Sequence, residues 1–104
     1  NKHNKKIVCN NQISSFMEWL GFDIVAGYGK SSNLSSTDML FLTKKIKKEN
    51  VKYVIDNLQA GTDVGRALST DLKIKHIVIS NFALGHSYIN TLKNNIEKID
   101  KVLE

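Results

Sequence analysis

The chain contains no proline and one cysteine, Cys9, in 104 residues. Without proline, nothing in the sequence forces a helix to break or removes a backbone donor from a strand. A single cysteine excludes an internal disulfide and leaves no thiolate pair for a metal. Within Ile7-Val8-Cys9 it is expected as a small buried hydrophobe rather than a reactive thiol. Arginine is almost missing too, Arg66 being the only one among fifteen basic residues. Base and phosphate recognition favours the planar fork of arginine, so the net charge of +5 is not read as a sign of nucleic acid. No apolar run approaches the ~18 residues of a membrane span. The opening residues Asn1-Lys2-His3-Asn4-Lys5-Lys6 also lack the apolar stretch of a signal peptide.

What is present is ordinary globular material, 41% hydrophobic and 24% charged. Its length allows one domain, residues 1–104, on a prior of roughly 100–200 residues each. Four Val- and Ile-rich runs, Lys6–Cys9, Asp23–Ala26, Val51–Asp56 and His76–Ser80, alternate with four stretches of helical period. Runs apolar at successive positions suit strands buried on both faces, and the alternation predicts a three-layer α/β/α domain with a four-stranded parallel sheet. The expected strand order is 2-1-3-4.

The helices are read from their stripes and ends. Ile13, Phe16, Met17 and Leu20 predict a helix over Gln12 to Leu20, stopped by Gly21, with Trp19 as partial core. Ser35 with Asp38 forms a capping pattern ahead of Met39, Leu42 and Ile46, in a helix ending near Asn50. Val64, Ala67, Leu68 and Leu72 mark a third helix; Tyr88, Leu92, Ile96, Ile99 and Leu103 mark a fourth. The run Lys44-Lys45-Ile46-Lys47-Lys48 falls near a helix end, where lysines offset the exposed carbonyls as a solvated face. The loop Gly27-Tyr28-Gly29-Lys30-Ser31-Ser32-Asn33 has neither Walker nor dinucleotide spacing and reads as a connection.

In parallel α/β sheets ligands bind beyond the carboxyl ends of the strands. Those ends deliver Asn10-Asn11, the Gly27–Asn33 loop, Asp56-Asn57 and Ser80-Asn81. The rim is polar and nearly uncharged, with Asp56 its one acid.

In this order the chain resembles the C-terminal lobe of the zinc- and manganese-binding solute-binding proteins of ABC transporters. The likeness rests on Ile7-Val8-Cys9-Asn10-Asn11-Gln12-Ile13-Ser14-Ser15-Phe16 running to Gly21-Phe22, and on Leu34-Ser35-Ser36-Thr37-Asp38. It continues through Glu49-Asn50-Val51-Lys52-Tyr53-Val54-Ile55, then Asn57-Leu58-Gln59, and closes on Ser87-Tyr88 and the helix that follows. The resemblance implies an extracytoplasmic protein with an N-terminal lobe and ABC transporter membrane subunits as partners, carrying zinc or manganese as transported ligand.

The family's metal ligands in such a lobe, a His and two carboxylates, correspond here to Asn10, Asn57 and Ser80. Amide and hydroxyl oxygens are poor neutral substitutes for imidazole and carboxylate, so the resemblance speaks for fold more than for metal. Neighbouring candidates are Asp56 and His86; Asp56 precedes Asn57 by one place, and a one-residue slip turns a side chain to the opposite face. His76 is expected exposed at a strand start, and His3 sits in the polar leader. Ser80, His86 and Asp56 form the only conceivable catalytic trio, without a nucleophile-elbow motif, and no enzyme activity is expected. The alternative is a ligand-free interaction or structural domain derived from such a lobe, its surface marked by Trp19 or Tyr28.

Overall fold

Strands β1 (Lys6–Asn10), β2 (Asp23–Tyr28), β3 (Tyr53–Asn57) and β4 (Lys75–Ile79) pair in parallel in the order β2-β1-β3-β4. They belong to a computed structural model that describes residues 5–80 and 88–103. Helices α1 (Ser14–Trp19), α2 (Ser36–Glu49), α3 (Asp63–Leu72) and α4 (Tyr88–Leu103) follow one strand each. The α/β architecture and strand order are those the sequence predicts.

Alternation along the strands divides the core into two layers. Ile7, Cys9, Ile55, Ile77 and Ile79 face one side and pack with Phe16 and Met17 of α1 and Ile99 of α4. Val8 and Val54 face the other side, against Leu42 and Ile46 of α2 and Val64 and Leu68 of α3. Each such side chain, buried to a few per cent, contributes roughly 1.5–3 kcal/mol of transfer free energy, so both faces must be covered for the sheet to persist.

Element ends differ from expectation where a backbone group has a better partner. Val51 donates its N–H to Ile46 O at 3.0 Å, finishing α2, so β3 starts at Tyr53 rather than Val51. β2 runs on to Tyr28 because Gly27 and Tyr28 still pair with Cys9 and Asn10. Residues Asn11–Ile13 form a 3-10 turn, leaving α1 shorter than the predicted Gln12 to Leu20. Gly21 does end that helix, at φ 97°. The Ser35–Asp38 capping box forms at the start of α2, and its lysines 44, 47 and 48 are exposed.

Trp19 corrects one expectation, being 70% exposed rather than partial core. Phe16 and Met17 take the inner face of α1, and two residues beyond Met17 the helix has turned about 200°. The indole instead stacks on the Phe16 ring, with centroids 6.1 Å apart.

Candidate functional site

The carboxyl ends of the strands are closed by buried amides. Asn10, at the end of β1, accepts from the Gln12 N–H at 2.9 Å and donates its Nδ2 to Gly29 O at 3.1 Å. It thereby starts the 3-10 turn and ties down the residue after β2. Asn57, at the end of β3, accepts from the Ala60 N–H at 3.0 Å and caps a second 3-10 turn, Leu58–Ala60. Ser80 follows β4, and its backbone is held from α4: its N–H donates to Asn95 Oδ1 at 3.2 Å and its carbonyl accepts from Asn95 Nδ2 at 2.9 Å. All three asparagines are buried. Short polar side chains suit this task because an amide offers a donor and an acceptor to orphaned backbone groups.

Asp56 points to the other face of β3 from Asn57, as the strand period requires, and is completely buried. Tyr28 donates its hydroxyl to Oδ1 at 2.5 Å, Gly65 at the start of α3 donates its N–H to Oδ2 at 3.0 Å, and His76 Nε2 lies 2.7 Å from Oδ2. The Tyr28 hydroxyl is also 3.1 Å from Ile55 O. Burying a carboxyl is costly unless its oxygens are bonded, and here β2, α3 and β4 each supply a donor.

Two expectations are corrected by this cluster. His76 is half-covered against Asp56 instead of exposed, and Tyr28 is core instead of surface, because the parity of β2 and β4 turns both toward the acid. Neither pairing follows from local sequence; the one clue is a lone acid inside an apolar strand. Asn81, His86 and His3 lie outside the described residues.

The electrostatics follow from burial. The Tyr28 hydroxyl is pushed well above its ordinary range, first by desolvation and then by the Asp56 charge. Burial, with a smaller contribution from Glu18, pushes the Cys9 thiol up to about 12, which makes it inert as expected. Among the described residues no three His, Cys, Asp or Glu side chains gather closely enough to hold a metal ion.

No protein-family model matches the sequence, and no curated protein is similar to it. Solved structures do share the fold. A mutant of the laminin-binding adhesin Lmb from Streptococcus agalactiae aligns with TM-score 0.73 and 16% identity, over 100% of this chain and 42% of that one. Fe(III)-bound YtgA from Chlamydia trachomatis aligns at 0.61 and 16%, over 94% and 41%. A Zn(II)-bound variant of AdcAII from Streptococcus pneumoniae aligns at 0.56 and 16%, over 96% and 40%. The chain thus spans less than half the length of the structures it matches.

Proposed function

We propose that the chain is one lobe, C-terminal by its resemblance, of an extracytoplasmic solute-binding protein serving a metal-ion ABC transporter. The observation that carries this reading is the alignment of essentially the whole chain with about two fifths of proteins bound to Zn(II) or Fe(III). One lobe supplies half of a cleft that closes by hinge motion, so the second lobe and the transporter's membrane subunits are its partners. No helix among the described residues is long and apolar enough to cross a membrane. On this reading the ligand end offers a metal the neutral oxygens of Asn10, Asn57 and Ser80, with His86, further along the sequence, as an imidazole and Asp56, beside Asn57 in sequence, as a carboxylate.

A second reading, a lobe without metal that serves contacts between proteins, is favoured by one specific observation. The Asn10 and Asn57 amides are committed to backbone caps, and Asp56 to Tyr28, Gly65 and His76. Calorimetric titration of the longest natural form with zinc and with manganese, repeated for His86→Ala and Asp56→Asn, separates the two. Sub-micromolar binding that His86→Ala abolishes supports metal transport. A folded protein that binds neither metal moves the assignment to the interaction domain, for which the exposed Trp19 is the first surface to mutate.

A further inference from the structure

The amino end of the sheet, opposite the strand ends described above, collects lysines from three stretches of chain. Lys5 and Lys6 enter β1, Lys52 precedes β3, and Lys45 and Lys48 lie on the last turns of α2. A groove of about 410 Å³ opens at this end, lined by Lys5, Lys6, Glu49, Asn50, Lys52 and Tyr53, with Lys45 and Lys48 outside its lining. Among the described residues that line it, Glu49 is the only acid. Lys6 Nζ donates to Glu49 Oε1 at 3.1 Å, and that bond with the Lys6 charge, followed by the charges of Lys45 and Lys48, holds the Glu49 carboxyl below its ordinary range. Three ammonium groups, those of Lys6, Lys45 and Lys48, thus act on the Glu49 carboxylate, while Asp23 lies beside Lys6 in the sheet register, so the lysines at this end outnumber the two acids.

Helix-end compensation accounts for Lys48, since cations offset the negative end of the α2 dipole. It does not account for Lys5, Lys6 and Lys52, which sit at strand entrances. The Lys6–Glu49 pair leaves its side chains 43% and 31% exposed, and such exposed pairs are weak enough to yield to a competing anion. None of the large exposed hydrophobics, Trp19, Leu40, Phe41 and Leu58, lines the groove, and its one aromatic, Tyr53, packs partly against the core, so its lining is mostly charged and polar. Lysine lacks the bidentate fork by which arginine favours phosphate, but its ammonium binds phosphate as a mobile point charge, so a compact, multiply charged phosphate suits a lysine cluster better than a planar partner does.

We propose that this groove is an anion site for a phosphate-rich ligand, either a free oligophosphate or an anionic lipid headgroup. The site is independent of the metal reading, because it lies at the other end of the sheet. The test is calorimetric titration of the purified chain with inorganic tripolyphosphate, beside co-sedimentation with phosphatidylcholine vesicles with and without phosphatidylglycerol. Lys5→Gln/Lys6→Gln/Lys52→Gln, the three lysines that line the groove, is compared with Lys30→Gln/Lys93→Gln/Lys101→Gln, which removes equal charge elsewhere from exposed positions. The groove variant is expected to lose about tenfold or more in affinity and the control less than about threefold, while binding fades between about 50 and about 300 mM salt. Glu49→Gln removes the competing carboxylate and is expected to tighten binding. Tripolyphosphate binding alone identifies a free ligand, and binding to phosphatidylglycerol vesicles through the same lysines identifies a headgroup; each supports the site. Equal losses in the two triple variants, or no binding of either probe at about 50 mM salt, overturn it.

Discussion

Tyr28 and Asp56 belong to strands that do not touch, and the tyrosine hydroxyl reaches over the intervening β1 to donate to the carboxylate at 2.5 Å. This contact binds the edge strand β2 to the centre of the sheet by a route other than the β1 ladder. With Gly65 and His76 on the second oxygen, Asp56 joins β2, β3, α3 and β4 at one buried point.

Asp56→Ala is expected to leave three donors without their acceptor and to lower stability by about 3 kcal/mol or more in urea unfolding. Tyr28→Phe keeps the ring and loses one bond, for about 1.5–3 kcal/mol. A double variant well short of the sum of the two would mark the residues as one network; strict additivity would show that they act separately.

Gly65→Ala reverses the usual rule for helices. Alanine in a helix interior is favoured over glycine by about 1 kcal/mol. At Gly65, however, a Cβ would press into Asp56 Oδ2 and stand 2.6 Å from His76 Nε2. The expected result is a net loss of about 2 kcal/mol, shrinking markedly when Asp56 is already alanine. A stabilised Gly65→Ala protein would contradict the packing at this point.

Asn95→Ala removes both side-chain partners of the Ser80 backbone and the polar tie between α4 and the end of β4. A cost of about 2 kcal/mol is expected, with faster hydrogen exchange at the Ser80 amide. Asn10→Ala should act on a different segment, loosening Gly29. Unchanged exchange at Ser80 would show that the packing of Ile96 and Ile99, with the bonds of Lys98 Nζ to Val78 O and Lys75 Nζ to Val102 O, holds α4 without Asn95.

The pH dependence has a definite sign. Tyr28 and Cys9 both have folded-state pKa values raised above their ordinary values of 10.0 and 9.0. Once the unfolded chain can release these protons and the folded one cannot, the unfolded state binds fewer protons and stability falls as pH rises. Stability at neutral pH is untouched by either group. The loss begins near pH 9 for Cys9 and near pH 10 for Tyr28, and denaturation curves from pH 7 to 11 would display it. Cys9→Ala should remove the earlier part of the fall, and Cys9 should stay unreactive toward thiol reagents until the fold opens.

Local pattern was enough for the α/β class, the α2 capping box and the Gly21 helix stop, because each depends on residues a few positions apart or on the alternation of strand and helix; the strand order agrees with expectation too, although alternation alone leaves it open. The strand-end rule likewise located Asn10, Asn57 and Ser80 correctly along the chain. It did not reveal what their side chains or backbones bond to, since Gln12 and Ala60 are near neighbours whose N–H groups become free only once a 3-10 turn forms, and Asn95 arrives from a helix 15 residues away. Trp19 misled because a short helix leaves one aromatic inside and its neighbour outside.

Composition and spacing by themselves determined that this proline-free chain makes an α/β fold with buried hydrophobic strands and exposed lysines. Tertiary structure alone decided that Asp56 turns to Tyr28, Gly65 and His76, and that Lys5, Lys6 and Lys52 line one groove. Both depend on strand register and crossover, which bring together groups 9 to 43 residues apart. No local propensity encodes such distances; the packing of both sheet faces does.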